Sequence, residues 1–256
     1  MTLREHLLEF RRRLVISALA VLGVAIVGFT QYQWIFDQLS APFGDYKKLH
    51  PGSLISLNFA NATAAFSNEV NVSIFVGIVG SSPVWLYQAW AFIVPGLTRR
   101  EKRISLTFIG AIVPLFIAGC WFGYTILPKS LEILYGFTPQ GASNIQQTTD
   151  YFTFVMRFIL VFGLAALFPV FLVGLNIAHV LPAHVMLRGW RVAVVLIFVF
   201  AAFATPTPDA YTMFLLAGPL LVLYFAAWGV SWFLDRRRAR KRPEWLDMSD
   251  DEASTI

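Results

Sequence analysis

Charge is what this chain has little of. Of 256 residues, 14% are Asp, Glu, Lys or Arg and 57% are hydrophobic, whereas a soluble domain carries about 25% charged residues. A surface so short of charge cannot be covered with polar groups, so lipid must solvate most of it; the mean hydropathy of +0.64 agrees. Cysteine is scarcer still. Cys120 is single and sits in an apolar run, which excludes a disulfide framework and a thiolate metal cluster. The four histidines (His6, His50, His179 and His184) form no HExxH pair, and His179 and His184 are five apart, poor spacing for one helical face. There is no G-x-S-x-G and no pair of carboxylates inside an apolar segment. The chain therefore reads as a non-enzyme without cofactor or metal.

Ionisable groups at membrane depth are missing too. Such groups are expensive in hydrocarbon and are usually functional where they occur. Here only Arg157, near one end of the fourth apolar segment, and Asp209, in the turn between the fifth and sixth, come near. A small-solute or ion transporter remains an alternative reading, but the sequence offers it no proton relay. No internal repeat supports an inverted-repeat transporter plan.

What is present is a series of apolar segments. Those long enough for about 30 Å of hydrocarbon lie near 14–36, 70–95, 104–127, 153–178, 190–204 and 211–233. The fifth is short, since fifteen residues at 1.5 Å each span about 22 Å. The first is too long for a secretory h-region of about 7–15 residues and reads as a retained helix. Pro83, Pro114, Pro169 and Pro219 lie inside these runs and bend a helix where they cost it a backbone bond. The expected fold is an all-α, six-span, curved and concave bundle over residues 1–235. The segments 37–69 and 128–152 read as cap helices or ordered loops. Residues 236–256, basic and then acidic, read as a disordered tail.

Basic residues orient the bundle. Six spans place the N-terminus, the 96–103 and 179–191 loops and the C-terminal tail on one side, with sixteen of the twenty Lys and Arg residues. Lys47, Lys48, Lys129 and Arg157 remain for the other. That asymmetry puts both termini in the cytoplasm. It also explains the formal charge of +5 without nucleic acid as a partner.

On the basic side, acidic residues stand out. Glu9 lies among Arg4, Arg11, Arg12 and Arg13, and Glu101 among Arg99, Arg100, Lys102 and Arg103. Two readings stay open. Glu9 can pair locally with Arg13 at i,i+4, an interaction of about 0.2–0.5 kcal/mol on an exposed helix. Alternatively, two carboxylates on one rim can receive a guanidinium-rich ligand through bidentate, charge-assisted bonds, while the surrounding cations repel ligands of diffuse positive charge. Asn176, Ser81, Ser82 and Gln88 are polar and uncharged, and read as makers of helix-to-helix hydrogen bonds.

Four stretches carry a family resemblance: "HLLEFRRRL" before the first span, "SAPF" after it, "SSPVWLYQAWAFIVPGLTRREKR" through the second span and its loop, and "ATPTPD" between the last two. In this order, and over nearly the whole chain, they resemble the TatC family, the receptor subunits of the twin-arginine protein translocase. The resemblance implies a glove-shaped six-helix bundle in the bacterial cytoplasmic membrane. It implies binding of the twin-arginine signal peptides of folded precursors at the cytoplasmic face, and transport driven by the proton-motive force. It also implies an oligomeric complex with single-span partners of the TatA/TatB type. By the same resemblance, Glu9 and Glu101 match the family's acidic positions for the twin arginines. Arg11, Phe92, Pro95, Leu97 and Arg103 match motif positions around them. Pro42 matches the proline of the first external loop and Asp209 the acidic residue of the last external turn. Phe203 and Thr205 fall where such proteins meet partner helices. Three positions depart from the pattern: Leu167 where the family often has an intramembrane glutamate, Asn71 for a common lysine, and Met213 for a common glutamine.

Overall fold

The computed structural model describes residues 3–51, 55–93, 99–139, 144–177, 180–204 and 210–240. In chain order these form α1 (Leu3–Thr30), α2 (Tyr32–Leu49), β1 (Ile55–Asn58), α3 (Ala62–Gly80), α4 (Ser82–Ile93), α5 (Arg99–Gly136), β2 (Asn144–Gln147), α6 (Thr148–Ala165), α7 (Phe168–Ile177), α8 (Ala183–Arg188), α9 (Trp190–Ala204) and α10 (Ala210–Arg240). Among the described residues, five helical stretches are long and apolar enough to cross a membrane: 4–30, 62–80, 110–136, 148–177 and 213–238. A shorter apolar helix runs from Trp190 to Phe203. The chain is an all-α polytopic membrane protein, as its composition implies.

The expected second and fourth spans are each two helices. Ser81 separates α3 from α4, and Ala166 and Leu167 separate α6 from α7. In both cases the proline sits second in the new helix, Pro83 in α4 and Pro169 in α7, where its missing N–H has no intrahelical partner to lose. The Trp85 indole heals the first break by donating to the Ile78 carbonyl at 2.8 Å. Pro114 and Pro219, by contrast, lie inside α5 and α10, which continue past them.

Other boundaries move as well. The first helix begins at Leu3 and stops at Thr30, so residues 32–36 belong to α2. The third helix runs from Arg99 to Gly136 rather than 104–127. The last continues through Arg236–Arg240, correcting the expectation of disorder there; 241–256 lie outside the described residues.

Close packing holds the spans together. A Cβ on Gly77 would lie 2.6 Å from the Val21 carbonyl, and one on Gly119 would lie 2.6 Å from the Phe162 carbonyl. The α1–α3 and α5–α6 backbones therefore approach as only glycine permits, the usual basis of helix association in lipid. Among the described residues, helix α6 contributes more of the large fully buried side chains than any other helix, Phe152 and Val155 among them, and α5 adds Phe116 and Leu127.

The two connecting segments expected to be cap helices or ordered loops contain both helix and strand. Helix α2 buries Ile35, Leu39, Pro42, Phe43 and Tyr46, an amphipathic spacing. It is tied down by the hydroxyls of Tyr124 and Tyr151, which donate to the carbonyls of Gln38 and Leu39 at 2.9 and 3.0 Å. Strands β1 and β2 pair in parallel, with Ile55 opposite Asn144 and Asn58 opposite Gln147. No periodic signal in the sequence points to this pairing.

Near the other end, α10 staples the α7–α8 connection. The Asp235 carboxylate accepts from the Asn176 amide at 3.1 Å and the Ala183 backbone N–H at 2.9 Å. Arg238 donates to the Asn176 carbonyl at 3.1 Å. Asn176, expected to bond between helices, does so while fully buried. Asp235→Ala should lower stability by about 1–3 kcal/mol by leaving these donors unpaired. Asp235→Asn should recover part of it, read as the thermal unfolding midpoint in detergent.

Candidate functional site

The helical period brings His6, Glu9, Phe10 and Arg13 onto one face of α1, and the end of α4 packs on that face. Phe92 stacks on His6 with ring centroids 4.5 Å apart and meets Phe10 at 5.2 Å. One turn earlier, the Gln88 side-chain carbonyl accepts from Arg13 Nη1 at 3.2 Å. Arg13 also donates from Nε and Nη2 to a single oxygen, Glu9 Oε1, at 3.0 and 2.6 Å. The second carboxylate oxygen, Glu9 Oε2, is buried and accepts no hydrogen bond from the described residues. Glu9 and Arg13 keep 22% and 23% of their side-chain area exposed, so the pair lies at the rim, although Oε2 itself is covered and a ligand must displace what covers it to reach it.

The local reading of Glu9 as the i,i+4 partner of Arg13 is therefore what the structure holds. It does not use up the carboxylate, because half of its acceptor capacity is unspent. An arginine guanidinium offers five N–H donors in a planar fork. Such a group can engage Oε2 and, by lying against Phe92 or Phe10, gain a cation–π contact of about 0.5–1 kcal/mol at an exposed site.

Of the residues assigned by resemblance, the structure places Phe92 against the face of α1 that carries Glu9, through its contacts with His6 and Phe10. Arg11 is exposed on another side of α1. Glu101 and Arg103 lie in the first turns of α5, with the placement of their side chains outside the described residues. Pro95, Leu97, Thr205 and Asp209 also lie outside them. Pro42 is buried in α2, and Phe203 near the end of α9 is 88% exposed. Leu167, in contrast, is 5% exposed within the apolar core, a place where an unpaired carboxylate would be costly. The reading missed His6 and Phe10 as ring partners of Phe92. Their i,i+4 spacing around Glu9 was a usable signal.

Among the described residues, the mid-bundle cavity offers no comparable chemistry. A cavity of about 510 Å³ between α5, α6 and α10 is lined by apolar residues, including Leu115, Phe122, Phe162, Pro219 and Leu220. It has no polar side chain with which to orient a solute.

Comparison with known proteins agrees with this architecture. Residues 5–219 match the family model described as Sec-independent protein translocase protein (TatC). The chain is 44% identical to a Sec-independent protein translocase protein TatC of Xylanimonas cellulosilytica, over 94% of this chain and 87% of the relative. It is 39% identical to one of Frankia casuarinae, over the whole of this chain and 73% of the relative. A crystal structure of the twin-arginine translocase receptor TatC in DDM superposes with a TM-score of 0.76 at 32% identity, covering 88% of this chain and 99% of that one. Matches of this extent, together with a fold of the same kind, establish that the chain belongs to the TatC family.

Proposed function

We propose that the protein is the receptor and core subunit of a twin-arginine translocase, binding twin-arginine signal peptides of folded precursors where α1 meets α4. The observation that carries this reading is Glu9, which keeps one carboxylate oxygen unbonded among the described residues, on the face of α1 whose His6 and Phe10 pack against Phe92. A guanidinium fits there better than an ammonium, since its flat, weakly hydrated fork stacks on aromatics and bonds carboxylates directionally. Glu101, with Pro95, Leu97 and Arg103 near it in sequence, supplies the second acidic position in this reading. Arg11 helps to set the positive field of the rim.

The proposed setting is the bacterial cytoplasmic membrane, with six spans and both termini on the cytoplasmic side, where most Lys and Arg residues fall. Helix α9 serves as the short fifth span. Its exposed face, ending near Phe203 and Thr205, is offered to single-span partner subunits of the TatA/TatB type in an oligomeric complex. Pro42 in α2 and Asp209 shape the opposite face. Transport draws on the proton-motive force, and the chain acts without catalysis, cofactor or nucleic acid.

The deciding experiment compares two labelled peptides, one with the Arg pair and one with a Lys pair, on the purified full-length protein in detergent. The expected result is saturable binding of the Arg peptide and at least about tenfold weaker binding of the Lys peptide, a difference of 1.4 kcal/mol. Equal binding of the two would overturn the carboxylate site.

A further inference from the structure

We infer that Gln88 is a positioning residue, which grips Arg13 so that this guanidinium occupies one oxygen of Glu9 and leaves the other for an incoming arginine. The inference rests on the receptor reading above and concerns how the same site is kept ready.

An arginine paired with a carboxylate commonly engages both oxygens, one N–H to each. Arg13 does otherwise. Its Nε and Nη2 converge on Oε1 alone, and its Nη1 is turned to the Gln88 oxygen on another helix, 75 residues away in sequence. Among the described residues, Gln88 is the one side chain that Nη1 bonds. Without it, the fork is free to rotate and take both oxygens of Glu9, competing with a ligand for the carboxylate. With it, Oε2 stays buried and unbonded. An unpaired buried acceptor is costly, and that cost is relieved when a guanidinium arrives.

The Arg13 backbone adds to this restraint, since its carbonyl accepts from the Ser17 hydroxyl at 3.0 Å. Gln88 is itself held one turn from Phe92, whose ring is locked between His6 and Phe10. The acceptor is thus fixed by packing rather than by its own chain alone.

The test uses the full-length protein and the labelled Arg-pair peptide. Gln88→Met, which keeps the length and removes the acceptor, should weaken binding about threefold to tenfold, less than the full worth of a hydrogen bond from a charged donor because Gln88 acts through Arg13. Gln88→Leu is the second variant should the first fail to fold. Gln88→Glu, which keeps an acceptor oxygen, should restore binding to within about twofold. The decisive arm is Arg13→Ala: once the internal competitor is gone, adding Gln88→Met should change nothing further. If Gln88→Met weakens binding in that background too, Gln88 acts on the peptide directly and the positioning role is wrong. If Gln88→Met binds like the parent while Glu9→Gln does not, the positioning role fails and the receptor reading stands. If Glu9→Gln binds like the parent, the receptor site itself fails.

Discussion

Gly119→Leu should abolish cooperative folding in detergent, seen as loss of the thermal unfolding transition and of a monodisperse elution peak. A Cβ at this position already lies 2.6 Å from both the Phe162 carbonyl and the Ala166 Cβ, distances that backbone and a packed methyl cannot yield cheaply. Facing it, Gly163 would place a Cβ 2.5 Å from the Cys120 sulfur and 2.9 Å from the Phe116 ring. Both residues belong to the α5–α6 seam, which holds most of the fully buried aromatic side chains. Overpacking by small groups costs about 1–3 kcal/mol, so Gly119→Ala should retain a lowered transition. The branched side chain of Leu, in contrast, must push the helices apart along their length. A midpoint for Gly119→Leu within a few degrees of the parent would show that α5 and α6 do not pack at this distance.

The second large effect is on the peptide. Glu9→Gln is expected to weaken Arg-pair binding about thirtyfold or more, the lower end of the roughly 2–5 kcal/mol lost when one member of a shielded charge pair is removed. The substitution keeps the shape of the side chain and an oxygen for Arg13. Its unfolding midpoint should therefore stay close to the parent, which separates loss of the site from loss of the fold. Arg11→Gln should weaken binding much less, because Arg11 is exposed on another side of α1 and acts through a field that salt screens. Repeating the titration at high salt should erase the Arg11 effect and leave most of the Glu9 effect. Parent-like affinity for Glu9→Gln would remove the carboxylate from the recognition mechanism.

These expectations rest unequally on the sequence. Membrane class and most span positions were readable because long uncharged runs have few physical outcomes other than burial in lipid. The i,i+4 pair of Glu9 and Arg13 was readable for a related reason, since helical spacing alone brings those side chains together. What was not readable is where a helix stops inside an apolar run. Pro83 and Pro169 coincide with breaks and Pro114 and Pro219 do not, although all four sit in similar surroundings by composition. At the first break the Trp85 indole donates to the Ile78 carbonyl, a tertiary partner that composition does not reveal. The β1–β2 pair was equally hidden, because two four-residue strands 85 residues or more apart carry no periodic signal of their own.

By itself, then, the sequence determined the solvent of this protein and the positions on α1 that carry acid and base. Only the tertiary structure decided how the carboxylate at that rim is spent. Gln88 reaches α1 from a helix 75 residues later in the chain, and its grip on Arg13 Nη1 goes with Arg13 bonding one oxygen of Glu9 while the other is unbonded among the described residues. Local spacing can pair two charges. Restraining one of them so that the pair stays open to a third requires a contact from elsewhere in the chain.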